Sequence, residues 1–344
     1  MTVSRVINDV SNVRPATRDM VNAAIAELKY APNSAARTLA GAGQNRIGLL
    51  YSNPSAAYLS EFLVGSLDQA SRRNVQLVVE KCELGDHELE VAGRLIEGGI
   101  DGIILPAPLC DSPDLIRMLV EQKVPAVLVG SGEPAGELFS VSIDDFAAAY
   151  AMTQHVLSLG HRRVGFILGN PAQTASAHRL AGYRSALEDA GIPFADSLTA
   201  QGAFTYRSGL EAAEQLLAME GAPTAIFASN DDMAAATVAV AHRRGLDVPG
   251  DLTVCGFDDT TLATAIWPEL TTIHQPIADM SRAAVEMLVS NIRHQQAAPQ
   301  ERHQLLEFTL VRRQSDAQPR DSQRSSALDL DGVSGMISLS RVGA

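Results

Sequence analysis

The sequence opens with Met1-Thr2-Val3-Ser4-Arg5-Val6-Ile7-Asn8. In a short helix, the polar and aliphatic side chains of this run would fall on opposite faces, and the polar face would hold Thr2, Ser4, Arg5 and Asn8. A helix that presents Arg and Asn on one face is typical of helices that enter the DNA major groove. Many surface helices share this pattern, so the run alone is only a weak indication of DNA binding.

Two further motifs follow at short intervals. Pro15 begins an amphipathic run that ends near Tyr30, with apolar residues at helical spacing. Residues 32–41 read Pro-Asn-Ser-Ala-Ala-Arg-Thr-Leu-Ala-Gly, in which Asn33 can cap a short helix that Gly41 closes. Because a two-turn helix is only marginally stable alone in water, this segment is either a plain linker or a helix that orders against a partner.

The order of these motifs closely resembles the DNA-binding headpiece of the LacI/GalR family of transcriptional regulators. The matching motifs are T-V-S-R-V-I-N, P-A-T-R and Y-x-P-N-x-x-A-x-x-L-A-G, and the resemblance continues to about Arg313. It implies a partial helix-turn-helix headpiece over residues 1–31, then a hinge helix and linker over residues 32–45. The first helix of the family's motif is missing, because the sequence begins inside the recognition helix. We expect a native start upstream of Met1; the alternative is a protein that has lost half of the motif.

The resemblance also implies the contacts with DNA. Ser4 and Arg5 would meet bases or phosphates in the major groove, and Leu39 would enter the minor groove as a wedge. The full implied set is Thr2, Ser4, Arg5, Asn8, Asn33, Ala36 and Leu39. Two headpieces related by two-fold symmetry would bind a pseudo-palindromic operator in double-stranded DNA, so we expect a homodimer.

Charge is unevenly distributed along the chain. The net charge is −13, yet residues 1–46 carry six basic and three acidic side chains, a net of +3 that leaves −16 on the remainder. A locally basic segment on an acidic body is typical of a small nucleic-acid-binding module joined to another domain, although so few charges can also fall this way by chance. The acidic total argues against a general polyanion-binding protein.

Cysteine usage and the motif inventory narrow the class of protein further. Cys82, Cys110 and Cys255 are far apart in or beside apolar runs, as expected for reduced core thiols of a cytoplasmic protein. The sequence contains no CxxC or HExxH metal motif, no P-loop and no GxSxG elbow, so we expect no metal, no cofactor and no enzymatic activity. The sequence shows neither an apolar run of membrane-spanning length nor a signal peptide, and we expect no membrane association.

From Arg46 onward, short apolar strands alternate with helices, which predicts parallel sheets joined by crossovers. The first series has strands at 47–51, 75–79, 102–106, 126–129 and 139–143, and helices at 57–73, 86–98, 112–122 and 145–159. The second has strands at 163–168, 224–228 and 252–256, and helices at 176–190, 206–219 and 231–244. We therefore predict an α/β protein with two doubly wound parallel-sheet lobes, periplasmic-binding-protein-like, after an all-α headpiece.

The remaining segments complete an effector-binding and dimerisation domain over residues 46–314. An extended segment at 270–276 and a helix at 277–294 precede one last strand at 305–313. The resemblance assigns residues 46–160 and 277–295 to lobe one, and residues 161–273 and 304–314 to lobe two. The tail at 315–344 is rich in Ser, Asp, Arg and Gln, so we predict that it is disordered.

A small molecule is expected in the cleft between the lobes, at the carboxyl ends of the strands. The resemblance implies that Arg179 grips it with the guanidinium fork, which suits vicinal hydroxyls or a carboxylate, and that Asp258 is its acceptor. The implied ligand-binding set is Tyr58, Leu59, Arg179, Phe227, Asn230, Asp258 and Trp267. The alternative to ligand binding is a packing role for Tyr58 and for Trp267. For Arg179 the alternative is a salt bridge at the start of its helix.

Two acidic residues near these positions received other expectations. Asp231 is expected to cap the helix that follows it, and Asp144 lies at a comparable strand end with a role that varies within the family. The two histidines in turns, His161 and His274, show no acid–base pairing in the sequence, and His161 is expected to be structural.

These expectations describe a ligand-responsive, sequence-specific DNA-binding transcriptional regulator, expected to be a repressor. Arg, Asp, Asn and aromatic side chains suit a polyol or pyranose, so we expect a sugar as the effector, although purine-binding relatives use similar positions. Effector binding would change lobe closure and thereby melt or order the hinge helices. The alternative is a cytoplasmic small-molecule-binding protein of the sugar-binding-protein type without competent DNA binding.

Overall fold

The computed structural model describes residues 14, 17, 20, 23, 44–83, 85–130, 138–293 and 302–320. The chain divides into two compact units, Met1–Asn45 and Arg46–Ala344. In the first unit, Thr17, Met20 and Ala23 are helical, and the Thr17 N–H donates to the Arg14 carbonyl at 3.0 Å. All of the residues implied to contact DNA lie outside the described residues, namely Thr2, Ser4, Arg5, Asn8, Asn33, Ala36 and Leu39.

Lobe one of the second unit is built on a six-stranded sheet in which every neighbouring pair is parallel. Its strands are β1 (Arg46–Tyr51), β2 (Gln76–Lys81), β3 (Gly102–Pro106), β4 (Ala126–Val129), β5 (Phe139–Ser142) and β11 (His303–Leu305). Their order is β11-β5-β4-β3-β1-β2. The helices are α1 (Ala56–Arg72), α2 (Glu88–Glu97), α3 (Pro113–Glu121) and α9 (Ile277–Arg293). Helices α1 and α9 pack closely together, and α9 also contacts β3, β4 and β5.

Lobe two has a second six-stranded sheet in the order β12-β10-β9-β8-β6-β7. The strands are β6 (Val164–Leu168), β7 (Thr199–Gln201), β8 (Ala225–Ala228), β9 (Thr253–Asp258), β10 (Thr271–His274) and β12 (Thr309–Val311), which is antiparallel to β10. The helices are α4 (Asp145–Ser158), α5 (Thr174–Asp189), α6 (Tyr206–Ala218), α7 (Asp231–Arg243) and α8 (Thr261–Ala265).

The central strands of each sheet are buried on both faces, as their continuous apolar runs predict. In β8, Phe227 belongs to the hydrophobic cluster beneath α4 and α5. Its two neighbours in the strand, Ile226 and Ala228, belong to the cluster beneath α6 and α7. The first of these clusters continues into lobe one through Ile47, Ile104 and the α9 side chains. The predicted pair of doubly wound lobes is therefore confirmed.

The predicted end of the first segment of lobe one, at residue 160, is wrong. The chain leaves lobe one after β5, because α4 packs on α5 and on the lobe-two strands β8, β10 and β12. Asp144 caps α4 by accepting the Ala147 N–H at 2.8 Å, so the passage between the lobes ends at this residue. The reason is packing: Ala148, Met152 and Val156 on α4 are fully buried in the cluster that also holds Phe227 and Phe257.

The predicted single strand at 305–313 and the lobe boundary at residue 304 are also wrong. Residues 303–305 pair with β5 of the lobe-one sheet, and residues 309–311 pair antiparallel with β10 of the lobe-two sheet. The chain thus passes from one lobe to the other between these short strands. Both strands cover a sheet edge that would otherwise leave backbone groups unpaired.

The predicted disordered tail begins too early, because residues 315–320 are structured. Ser315 and Asp316 are buried, and the Val254 N–H donates to the Ser315 carbonyl at 2.9 Å. The carboxylate of Asp316 accepts hydrogen bonds from His155 (3.0 Å), Arg312 (2.9 Å) and Thr271. The polar composition of residues 315–344 predicted disorder, but Ser315 and Asp316 instead form hydrogen bonds with buried polar groups of lobe two.

Among the helices in the described part of the chain, none is both long and apolar enough to cross a membrane. The three cysteines are all free and buried.

Candidate ligand-binding site

A cavity of about 470 Å³, including its open mouth, lies between the two lobes where strands of both sheets end. Lobe one contributes Asn53 and Tyr58 after β1, Ala107 after β3 and Gly130 after β4. Lobe two contributes Gln173 after β6, Phe204 after β7, Asn230 after β8, Asp258 at the end of β9 and Gln275 after β10. Pro54, Ser55, Ala175 and Arg179 complete the lining. Its position matches the crevice at strand carboxyl ends where doubly wound folds bind ligands.

Arg179, in the second turn of α5, is held from three directions. Its Nε donates to the Asp145 carboxylate at 2.7 Å, its Nη1 donates to the Ser229 carbonyl, and its guanidinium lies 3.5 Å from the centre of the Phe257 ring. The Asp258 carboxylate is 3.9 Å from Nη1. Among the described residues, Nη2 has no hydrogen-bond partner, so one edge of the guanidinium is available to a ligand. The salt bridge and the ligand contact, posed as alternatives by the sequence, are therefore compatible.

The turn after β9 aims Asp258 into the cavity. Asp258 and Asp259 have positive φ angles of 108° and 59°, which are costly for residues other than glycine. The fully buried Asp231 holds this turn, because its carboxylate accepts the Thr260 N–H at 2.8 Å and the Thr272 hydroxyl at 2.7 Å. Backbone strain maintained in this way is common at functional sites.

Burial governs the ionisation of the cavity acids. It raises the pKa of Asp258 well above its usual value, although the nearby Arg179 lowers it, and the neighbouring carboxyls of Asp231, Asp232 and Asp145 raise it further. Burial likewise raises the pKa of Asp145 despite its ion pair with Arg179. The Gln275 side chain supports Asp258, since its Nε2 donates to the carboxylate at 3.3 Å.

Several polar groups face the cavity with hydrogen-bonding capacity to spare. Within the described part of the chain, the Tyr58 hydroxyl and the Gln173 side-chain amide have no hydrogen-bond partner, although both residues are buried and line the cavity. Burial raises the pKa of Tyr58, so its hydroxyl stays protonated and can donate. With Asp258 and Arg179, these groups offer donors and acceptors on both lobes.

An aromatic ring does face the cavity, but it is Phe204 and not the predicted Phe227. Phe227 is fully buried in β8, with its ring centre 5.3 Å from that of Phe166 in an edge-on contact. Phe204 precedes α6, has a positive φ of 58°, and lines the cavity. A Cβ at Gly169 would overlap the Phe204 ring, so the glycine allows this placement.

Two more predicted residues lie away from the cavity lining. Leu59 is on α1 and only partly buried, and Trp267 is 74% exposed on the segment before β10. The expected cap is also reassigned: Asn230 caps α7 by accepting the Met233 N–H at 3.0 Å, whereas Asp231 holds the β9 turn. Asn230 does line the cavity, yet its amide nitrogen donates to the Phe204 carbonyl at 3.1 Å.

Two pairs of residues form hydrogen bonds across the cleft, beside or among the residues that line the cavity. The Ser55 hydroxyl donates to Asp232 on α7 at 2.6 Å. In the second pair, Asp111 of lobe one accepts the N–H and the hydroxyl of Thr174 of lobe two at 3.1 and 2.9 Å. Burial raises the pKa of Glu61 on α1, although the Thr261 backbone and His274 lower it. The lobes are thus in contact around the cavity.

The two histidines do not form an acid–base pair. The His161 ring is buried against the hydroxyls of Thr224 and Thr253 and the Ala317 carbonyl, as expected for a structural residue. His274 bonds Asp259 at 3.1 Å, outside the cavity lining. Across the described ranges, no cluster of His, Cys, Asp or Glu has the arrangement of a metal site.

Two lobes around a polar cavity define a ligand-binding domain of the periplasmic-binding-protein type, and residues 153–315 match the periplasmic binding protein-like domain. Residues 1–33 match the bacterial regulatory proteins of the lacI family. Catabolite control protein A of Priestia megaterium is 35% identical over 289 residues, which cover 83% of this chain and 87% of that protein. The chain therefore belongs to the lacI family of transcriptional regulators.

Solved structures agree with this assignment. The transcriptional regulator CelR in complex with cellobiose is 33% identical, covers 91% of this chain and 94% of its own, and has a TM-score of 0.73. The lac repressor dimer bound to operator and the anti-inducer ONPF is 30% identical, covers 92% and 94%, and has a TM-score of 0.77.

Proposed function

We propose that this regulator binds a sugar between its lobes and uses the resulting change in lobe contacts to alter its affinity for a pseudo-palindromic DNA operator. The cavity carries the proposal, because Arg179, Asp258, Gln173 and Tyr58 place donors and acceptors around the Phe204 ring. Hydroxyl groups on the edges of a pyranose suit such donors and acceptors, and its apolar face suits an aromatic ring. The cellobiose held by the CelR relative supports the same ligand class.

Coupling to DNA would run through closure of the cleft. Arg179 and Asp258 belong to lobe two, whereas Tyr58 belongs to lobe one, so a ligand that bonds all three favours the closed arrangement. Ser55–Asp232 and Asp111–Thr174 already bridge the lobes, and the ligand adds its own contacts to theirs. A change in closure would shift the segments preceding Arg46 in a dimer and thereby order or melt the hinge helices.

A homodimer would bring two headpieces to one operator. Val64 and Leu67 lie on one face of α1 and are 60% and 55% exposed. Strand β2 is an edge strand of the lobe-one sheet. Large exposed apolar side chains on one helix face are common at subunit interfaces. The lac repressor relative was solved as a dimer. Sedimentation measurements of the molecular mass test this proposal. Wild type should be a dimer, and the double variant Val64→Asp/Leu67→Asp should be a monomer.

Thermal melting with a panel of sugars and a panel of nucleobases tests the effector class. We expect at least one sugar to raise the Tm; a panel in which only nucleobases raise it refutes the sugar assignment. Operator binding is tested by selecting duplexes from a random DNA library with the purified protein. A protein that binds sugar but enriches no palindrome would be a cytoplasmic ligand-binding protein without DNA-binding function.

Leu39→Ala separates the two activities. We expect it to weaken binding to the selected duplex while sugar affinity stays unchanged, because the implied wedge acts only on DNA. Parallel titrations that show equal loss of both affinities would refute this division of roles.

A further inference from the structure

The charges around the cavity are unequal. Among the described residues that line it, Arg179 is the one cation, whereas Asp258 lines it and Asp145 bonds Arg179 from behind. Asp232 and Asp111 lie at the two cross-lobe bridges, and Asp231 lies under the Asp258 turn. The site therefore contains more carboxyl groups than cations.

The positive charge of Arg179 is already engaged. A phosphate or carboxylate is best bound by two parallel N–H groups of a guanidinium. Here Nε is bonded to Asp145 and Nη1 to the Ser229 carbonyl, while the ring of Phe257 covers one face of the guanidinium. One edge at Nη2 remains, which suits a single neutral oxygen better than an anion that requires the full fork.

The helix N-termini near the cavity, where anions commonly bind, are also partly occupied. The chain's own oxygen atoms accept a first-turn N–H in each of four helices: Ser55 in α1, Asp144 in α4, Asp111 in α5 and Asn230 in α7. Two of these acceptors are carboxylates, and α7 has two further acidic residues in its first turn. An incoming anion would meet negative charge at the positions where a helix dipole would otherwise attract it.

We infer that this cavity selects an uncharged polyhydroxylated ligand and excludes the phosphate ester and the carboxylate of the same compound. The inference rests on the proposed sugar-binding function and narrows it to unphosphorylated, unoxidised sugars. Burial supports it, because a cavity that already raises the pKa of Asp258 and Asp145 disfavours further negative charge.

Calorimetric titration with matched ligands tests the inference. The series is the neutral sugar with the largest Tm shift, its phosphate ester, its uronic acid and its amino sugar. We expect both anionic forms to bind weaker by about 100-fold or more, while the amino sugar loses less. Anionic forms that bind as tightly as the neutral sugar overturn the inference. An amino sugar that loses as much affinity as the uronic acid also overturns it, because the size of the substituent and not its charge would then explain the weaker binding.

Variants separate charge from shape. Asp258→Asn should weaken binding of the neutral sugar yet narrow the ratio between its Kd and that of the uronic acid, because the amide removes one of the carboxyl groups that a ligand carboxylate would approach. The matched control is Asp259→Asn, the neighbouring carboxyl that pairs with Arg313 and His274, which should leave the ratio unchanged. An unchanged ratio in Asp258→Asn overturns the inference.

Failure of the sugar proposal is distinguishable from failure of this inference. If no sugar binds, the sugar proposal fails, and a nucleoside paired with its monophosphate then tests charge exclusion in the same cavity. Inorganic phosphate provides a ligand-independent measurement: we expect no Tm shift from it. A shift that disappears in Arg179→Gln overturns the inference.

Discussion

The Nε atom of Arg179 lies 2.7 Å from a carboxylate oxygen of Asp145, and the two side chains are only 6% and 2% exposed. Asp145 is the first residue of α4, immediately after the chain has crossed from lobe one, and Arg179 is on α5, which packs against α4. The ion pair therefore sets the position of the cavity-lining guanidinium relative to the crossover between the lobes. In the proposed function, ligand recognition and inter-lobe geometry would therefore depend on the same contact.

Arg179→Ala should abolish effector binding and also destabilise the protein. The Asp145 carboxylate would remain buried without its partner, which costs about 3–5 kcal/mol in comparable cases. Calorimetric titration and chemical denaturation measure the two effects. The double variant Arg179→Gln/Asp145→Asn should recover much of the stability without recovering effector binding. A single variant with unchanged effector affinity would show that Arg179 is only structural.

Gly169→Ala should impair effector binding through Phe204. The added Cβ would overlap the Phe204 ring and force it to move, although Gly169 itself does not line the cavity. Loss of an aromatic contact predicts an effector affinity weaker by about tenfold. The control is Gly93→Ala on α2, where a Cβ would meet only the Met118 methyl at 3.8 Å. Equal effector affinity in both variants would contradict the role given to Phe204.

Asp231→Asn should change how stability depends on pH. Burial raises the pKa of Asp231 to about 7 from 3.8, against hydrogen bonds from Thr272 and Thr260. A raised pKa favours the protonated native state, so the contribution of Asp231 is present in acid and is lost as pH rises toward about 7. The free energy of unfolding of wild type minus that of the variant should therefore fall as the pH rises from 3.8 to about 7.

Denaturation at several pH values measures that difference. Asp196→Asn is the control, because its side chain is 93% exposed, and it should leave the pH dependence of wild type unchanged. A difference between wild type and Asp231→Asn that rises with pH would show that Asp231 is ionised throughout the native state.

Asp316→Ala should destabilise lobe two. Burial alone would raise the pKa of Asp316, but hydrogen bonds from His155 and Thr271 and the charge of Arg312 outweigh burial and hold the pKa below its usual value. The stabilisation is therefore present above pH 3.8 and is lost as pH falls through the native pKa. Removal of the carboxylate leaves buried donors unpaired, at a cost of about 1–3 kcal/mol.

Arg320→Ala is the matched control for the same segment. Arg320 pairs with Asp247 and Asp251 but its side chain is 57% exposed, so its loss should cost under about 1 kcal/mol. Equal destabilisation by both variants, measured by denaturation near neutral pH, would mean that the segment contributes through its backbone alone.

The sequence predicts both lobes because strands buried on two faces are continuous apolar runs, as in β3 and β4. It does not reveal β7, a three-residue strand with polar ends, or β11, whose residues are largely exposed. The crossover at Asp144 is also hidden, since a helix after a strand has the same pattern whichever sheet it covers. Burial of Met152 against lobe two decides that point only in three dimensions.

The candidate site divides in a similar way. Tyr58, Arg179, Asn230 and Asp258 were predicted and do line one cavity. Gln173, Phe204 and Gln275 were missed because they lie in irregular loops, whose proximity depends on the order of the strands. The prediction that Phe227 lines the cavity was wrong because side chains alternate along a strand, and that of Phe227 points into the core beneath α4 and α5. Asn230, after the carboxyl end of β8, lines the cavity instead.

The short strands β11 and β12 also constrain biosynthesis. Residues 303–311 close an edge of each sheet, and Asp316 then fills a buried polar site in lobe two. A ribosome must therefore translate through residue 305 before lobe one has its last strand, and through residue 316 before lobe two has these contacts. Nascent chains that carry a finished β1–β5 segment still expose an open sheet edge and lack α9, so they are expected to need chaperone protection until translation has passed that point.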